Sequence, residues 1–273
     1  MLTETVLASG MRVWVARPDT AEPRPAVIAM HERYGPIQHN KDLVEWLAAD
    51  GFVGCLPDMH HRYKGDRDLV TQAEVRVTLK DEDSLADLDE AMAFLRTQDY
   101  VIGDQIGIMG VCQSGREPML YASQRSDVSA IAFIHGGVYQ REFEPVPDRP
   151  TSVSDFILKI GCPVLGMLGE EDALVPMENV ARFRREMEQA RKSYQVRVLG
   201  GAPHGWLDTT QPHLYEERQA ADAWRTLIAF WTSTLGGDWD RSRVIWRFDA
   251  DTSPDYDFSK LEMRPRPTGF VHH

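Results

Sequence analysis

A chain of 273 residues, 42% hydrophobic and 26% charged, has the make-up of an ordinary globular protein and ample material for a large core. Its formal net charge of -12 argues against polyanionic partners, so neither nucleic acid nor an acidic membrane surface is expected. Cys55, Cys112 and Cys162 are too few and too scattered for a disulfide framework or a zinc ribbon, and no cofactor or metal is expected. The N-terminus lacks the pattern of a signal peptide and no apolar stretch nears the ~18–20 residues that span a bilayer, so a cytoplasmic protein with free thiols is expected.

Residues 3–17 read as a β-hairpin, because residues 11–17 alternate apolar with other side chains and Ser9-Gly10 supplies the turn. After a proline-rich link, residues 26–30 are a continuous apolar run of the kind buried on both faces of a parallel sheet. Leu43, Trp46, Leu47 and Ala48 recur at helical spacing and stop at Asp50-Gly51, a helix C-terminus. A strand over residues 52–56 ends at Pro57 and gives way to a polar loop over residues 58–68. Ser84, Leu85, Leu88, Ala91, Met92 and Leu95 mark a long amphipathic helix with acidic first turns, as the helix dipole favours. Residues 106–109 make a buried strand that turns through Gly110, Val111 and Cys112 into a helix starting at Gln113. Further strands are read at residues 128–134, 163–168 and 195–199, helices at 177–192 and 215–235, and a charged, proline-rich insertion at 140–155 as a candidate lid. This alternation predicts an α/β fold, one doubly wound, mostly parallel sheet in a single domain over residues 1–235. Residues 236–273 form a C-terminal arm, too rich in aromatics (Trp239, Trp246, Phe248, Tyr256, Phe258, Phe270) for a disordered tail. It is expected to pack on its own domain or on a second copy as a homodimer, a passive extension being the alternative.

In open α/β sheets chemistry gathers at the carboxyl ends of the strands. Here those ends carry His31-Glu32-Arg33, the polar residues 58–62, Cys112, Asp172 and His204. The strand-turn-helix around Cys112 is the geometry of a nucleophile elbow, with the sulfur over a helix N-terminus that favours a thiolate. On that stretch alone, a small buried cysteine at a strand end is an equal reading. The order Cys112, Asp172, His204 is the nucleophile, acid, base order of the α/β-hydrolase fold. Cys112 would attack a carbonyl carbon, His204 would carry the proton to the leaving group, and Asp172 would orient the imidazolium. Asp172 is preferred to Glu170 and Glu171 because it alone opens Asp-x-x-Val-Pro. The oxyanion would sit on the backbone N–H groups of Gln113 and Arg33. Tyr34, His135, Tyr139 and Trp206 stand as pocket walls beside these loops.

Together Gly-Val-Cys-Gln-Ser-Gly-Arg at the elbow, Gly-Glu-Glu-Asp-Ala-Leu-Val-Pro at the acid turn and Gly-Gly-Ala-Pro-His-Gly-Trp at the histidine loop resemble the dienelactone hydrolase (carboxymethylenebutenolidase) family, over about residues 10–235. The resemblance implies an α/β-hydrolase that cleaves an ester or lactone bond of a small molecule through a Cys-His-Asp triad. It also implies that Glu32, in His-Glu-Arg-Tyr-Gly, accepts the thiol proton, and that Arg62 holds a substrate carboxylate. Where the family has a second arginine, four residues after the histidine, this chain has Asp208, which would repel a carboxylate. Ser114 replaces a family glycine, and Pro118 falls in the first turns of the elbow helix, where it would remove a donor and kink the chain.

Other readings compete. Ser114 as nucleophile would need glycine at positions 112 and 116, which are Cys and Arg. A metal site among His31, Asp58, His60 and His61 lacks a His-Glu-x-x-His pattern, and a polar pocket lip is the plainer account. A non-catalytic small-molecule binder on a hydrolase scaffold would predict a damaged triad. Arg116 is expected to set the helix by pairing with Glu32 or Glu117, or else to meet a substrate anion.

Overall fold

The computed structural model describes residues 1–237, 239–251 and 263–269. Among the described residues nine strands form one sheet in the order β1-β2-β4-β3-β5-β6-β7-β8-β9. The first two, β1 (Leu2–Val6) and β2 (Arg12–Ala16), make the expected hairpin, and β2 pairs antiparallel with β4 (Val53–Pro57). From β4 onward every pairing is parallel, through β3 (Arg24–Met30), β5 (Val101–Val111), β6 (Ala130–Ile134), β7 (Val164–Glu171), β8 (Tyr194–Pro203) and β9 (Trp246–Ala250). The doubly wound α/β-hydrolase expectation holds.

The apolar runs of the central strands follow from burial on both faces. In β3, Ala26, Ile28 and Met30 face one core, while Val27 and Ala29 face the other, as the two-residue period of a strand requires. The first core is covered by α3 (Asp81–Arg96), α4 (Glu117–Gln124), α5 (Val153–Lys159) and α6 (Met177–Gln189). The second is covered by α1 (Gln38–Ala49) and α7 (Glu217–Leu235), whose Trp231 ring lies so close to Gly107 that a Cβ there would meet it at 2.7 Å. A short α2 (Arg67–Thr71) begins at the end of the stretch read as a polar loop over residues 58–68.

The sheet gains a strand that the sequence pattern hides. In β9 only Phe248 is half-buried, so there is no alternation to read, yet it pairs with β8 from Tyr194↔Trp246 to Val198↔Ala250. Part of the expected arm is thus a sheet strand of the same chain; Tyr256, Phe258 and Phe270 lie outside the described residues. The insertion at residues 140–155 is fastened by charge. Arg116, 1% exposed, reaches Asp81, the Thr151 carbonyl (2.5 Å) and Glu142 (3.5 Å), and Arg149 meets Glu142 at 2.6 Å. Arg116 therefore pairs with Asp81 and Glu142 rather than with the expected Glu32 or Glu117. Among the described residues no helix is long and apolar enough to cross a membrane.

Candidate active site

β5 runs apolar and buried to Val111, and at Cys112 the backbone takes φ 54, a left-handed conformation rare for a residue with a Cβ. Such a position costs about 1–3 kcal/mol and persists only where its surroundings enforce it. Glycines do so here: a Cβ on Gly110 would lie 2.0 Å from the Ser114 carbonyl oxygen, and one on Gly136 would lie 2.1 Å from that of Cys112. The turn continues as a 3-10 segment, Cys112–Arg116, and α4 begins only at Glu117, four residues later than the pattern predicts. Pro118 thereby falls in the first turn of α4, where a missing N–H costs nothing, so the expected kink has no cause. Ser114 is fully buried; its Oγ accepts from Val111 N (3.0 Å) and faces the Val111 and Met30 carbonyls, so it braces the elbow.

Two further strand ends converge on Cys112. His204, just past β8, lies with Nε2 3.2 Å from Cys112 Sγ and Nδ1 2.8 Å from Asp172 Oδ2, just past β7. Asp172 Oδ1 accepts from the amides of Leu174 (2.9 Å) and Val175 (3.3 Å), so its turn holds the carboxylate in place. Burial pulls the His204 imidazole down, but Asp172 and Cys112 outweigh it and hold the ring well above its ordinary value. Glu170 instead accepts from Gly201 N at 3.0 Å, on the far side of the turn. Tyr139 Oη stands 3.7 Å from Cys112 Sγ and 3.2 Å from the His135 carbonyl. The His135 ring packs edge-on to His204 (4.9 Å) and Trp206 (5.8 Å). Burial and the neighbouring His204 hold His135 well below its ordinary value, which keeps it neutral.

Glu32 is buried beneath this cluster, with Oε1 3.3 Å from His135 Nε2. Burial first, and then the charge of Asp208, push its carboxyl up to about 7. Asp208 is itself inaccessible, its oxygens taken by Thr210 N (2.9 Å), Thr210 Oγ1 (2.6 Å) and Gln211 Nε2 (2.7 Å), with His39 Nδ1 at 3.7 Å. Burial opposes its ionisation, but His39 and these donors hold its carboxyl below the usual range. Its influence therefore runs through Glu32, and a direct clash with a substrate carboxylate does not follow. Because burial pushes the Glu32 carboxyl from about 4.5 in an unfolded chain up to about 7, the folded chain binds the extra proton between those values. Stability contributed by that proton is present at low pH and is lost as pH rises through about 7. Glu32→Gln should therefore be more stable than wild type at pH 8, by ~1–3 kcal/mol in urea unfolding, with the gain vanishing near pH 5. A gain independent of pH would refute this origin.

The remaining candidates divide. Arg33 donates from Nη2 to the Ala73 carbonyl (3.0 Å) and Gln113 from Nε2 to that of Val77 (2.6 Å), and both backbones flank Cys112 and Glu32 in sequence. Tyr34 lies within electrostatic reach of Glu32 and Cys112. Arg62 does not join the cluster: its guanidinium binds Asp87 at 2.5 and 2.6 Å and Asp83 at 3.5 Å. His61 meets Asp87 (3.0 Å), and His31 Nε2 accepts from Met59 N (3.1 Å). Among the described residues no three His, Cys, Asp or Glu side chains converge as a metal site. Two arginines absent from the sequence reading do approach. The head group of Arg76 is held down by partial burial and by Arg141 and Arg33, against the pull of Cys112 and Tyr139. Arg141 lies over the Tyr139 ring at 4.4 Å. The one signal for Arg76 was an arginine between Val75 and Val77 in an otherwise patternless loop.

Known proteins share this arrangement of strands and loops. The model of the dienelactone hydrolase family matches residues 11–235. A relative from Bradyrhizobium sp., named "Probable 2-oxo-3-(5-oxofuran-2-ylidene)propanoate lactonase", is 28% identical over 220 residues, covering 80% of this chain and 87% of its own. A solved structure from Klebsiella pneumoniae, described as "Putative Dienelactone Hydrolase", superposes with a TM-score of 0.76 at 26% identity, over 85% of this chain and 98% of that one. An acylaminoacyl peptidase of Pyrococcus horikoshii, at 15% identity and a TM-score of 0.68 over 88% of this chain and 42% of its own, shares the fold alone. With a family model spanning the chain from β2 to the end of α7, this hydrolase belongs to the dienelactone hydrolase family.

Proposed function

We propose that the protein hydrolyses an ester or lactone bond of a small carboxylate-bearing molecule, with Cys112 as nucleophile, His204 as base and acid, and Asp172 as the orienting carboxylate. The observation that carries this reading is the chain of contacts from Asp172 through His204 to Cys112, at 2.8 and 3.2 Å. The Cys112 sulfur attacks the carbonyl carbon, and the oxyanion forms against the amides of Gln113 and Arg33. His204, holding the proton, passes it to the departing alkoxide oxygen, leaving a thioester on Cys112. Water then gives a proton to His204 and its hydroxide to the thioester carbonyl; collapse releases the acid and the proton returns to the sulfur. His204 starts the cycle with a proton of its own, and Glu32 takes the thiol proton as substrate binds and gives it back to the sulfur when the acid leaves. Tyr139, whose hydroxyl faces the sulfur, and Trp206, behind His135, bound the acyl pocket.

For the substrate's anionic group, Arg76 and Arg141 are better supported than Arg62, whose charge is spent on Asp87 and Asp83. The name of the Bradyrhizobium relative describes a lactone that bears a propanoate, which fits a site with cations beside the nucleophile. A panel of a carboxylate-bearing enol lactone, a neutral lactone and a neutral aryl ester tests the reading. With Arg76→Ala, KM for the charged lactone should rise about tenfold while KM for the neutral substrates moves far less. Intact-mass analysis of quenched wild type should show an acyl adduct on Cys112. Turnover without an adduct on that residue, trapped under any condition, would count against the covalent route.

A further inference from the structure

Two arginines near the C-terminus join loops that the sequence holds far apart. Arg264 Nη1 lies 2.7 Å from Glu216 Oε1, and its Nη2 lies 3.8 Å from Glu171 Oε2. Glu216 is in the loop that follows His204, and Glu171 immediately precedes Asp172. Two residues further on, Arg266 donates from Nη1 to the Gln72 carbonyl at 2.8 Å, with its guanidinium 6.0 Å from the Tyr34 ring. Tyr34 follows Glu32-Arg33 and lies within electrostatic reach of both Arg266 and Cys112. Burial first, then the charges of Glu32 and Cys112, push its phenol up to about 12, while Arg266 and Arg33 pull the other way. Extended chain advances about 7 Å over two residues, so residues 264–266 must cross from the acid and base loops to the loop that carries Glu32.

We propose that residues 263–269 form a strap over the approach to Cys112, anchored by Arg264, and that Arg266 is a specificity-determining residue that admits small carboxylate-bearing substrates and excludes bulky neutral esters. The inference rests on the cysteine-hydrolase reading above and extends it from the pocket to the entrance. Arg264 fastens the strap, bound to a carboxylate on each side of the base and acid loops. Arg266 brings a cation to Tyr34, which Arg33 also reaches, and Arg33 and Arg141 in turn lie within electrostatic reach of Arg76. On a chain of net charge -12 an anion is repelled at a distance, so a local run of arginines at the entrance decides which small molecules enter. That steering acts over a Debye length of about 8–10 Å and weakens as salt is added.

The test uses the full chain carrying Arg264→Ala with Arg266→Ala, and separately Arg266→Lys. The probes are a carboxylate-bearing enol lactone, p-nitrophenyl acetate and p-nitrophenyl octanoate, at low and high salt. For the double variant, kcat/KM on the charged lactone should fall about tenfold through KM, and the deficit should shrink at high salt. On the octanoate it should rise, because the mouth is no longer narrowed. Arg266→Lys should keep most of the preference for the charged lactone. Parallel losses on charged and neutral probes, or no change on either, would overturn the strap while leaving the cysteine mechanism standing. A wild type that turns over none of the three would overturn both.

Discussion

Cys112→Ala should lower kcat/KM by at least ~10³-fold on any ester or lactone that the wild type turns over, and Cys112→Ser should leave only a weak remnant. Alanine leaves nothing for His204 to work on: its Nε2 faces the sulfur at 3.2 Å, and no other side-chain nucleophile sits at the elbow apex. Ser114, the nearest hydroxyl in sequence, is fully buried and bonded to Val111 and Met30, so it cannot substitute. Serine at 112 keeps the geometry but replaces a readily ionised thiol with a hydroxyl of far higher pKa, so the remnant should depend wholly on His204 as base. Steady-state kinetics with purified variants decides it. An alanine variant with undiminished activity would refute the cysteine mechanism outright.

The largest effect on stability is expected at Arg116. Replacing it with methionine should cost about 3–5 kcal/mol, because it strands the buried carboxylate of Asp81, whereas Glu142 keeps Arg149. Asp81 takes both Nη atoms of Arg116, and Glu142 lies 3.5 Å from its Nε. The guanidinium also stacks 4.6 Å from the Phe156 ring and bonds the Thr151 carbonyl, so packing goes with the charge. Urea unfolding at pH 7.5 measures the loss, and adding Asp81→Asn should recover part of it. A single-variant cost below about 1 kcal/mol would show that the network stabilises little.

What could be read in the sequence was whatever hydrophobic periodicity and strand-end position encode. Cys112, Asp172 and His204 each follow an apolar run, and the parallel sheet brings such ends to one edge, so their meeting could be expected from order alone. Arg62 illustrates what order cannot supply. It matches a family motif, but α3 carries Asp83 and Asp87 to it and closes it off from the cleft. Arg76 reaches the site along a path through residues 72–80 that no period describes. Asp208 looked like a repelling charge because its partners, Thr210, Gln211 and His39, are set by a turn and by a helix 169 positions earlier. The segment α5, seven residues long, and the exposed β9 are too short or too polar to raise a signal.

The placement of β9 also bears on how the protein behaves in a crowded solution. Without it, β8, a ten-residue strand, would end the sheet as a bare row of amides and carbonyls, a template on which another chain can polymerise. Trp246–Ala250 covers that row from Tyr194 to Val198 and leaves Arg247 and Asp249 exposed, charges that discourage a further strand from adding. A shortened form ending after α7 would thus be prone to aggregate even with every residue around Cys112 intact, which light scattering of the shortened and full chains would show.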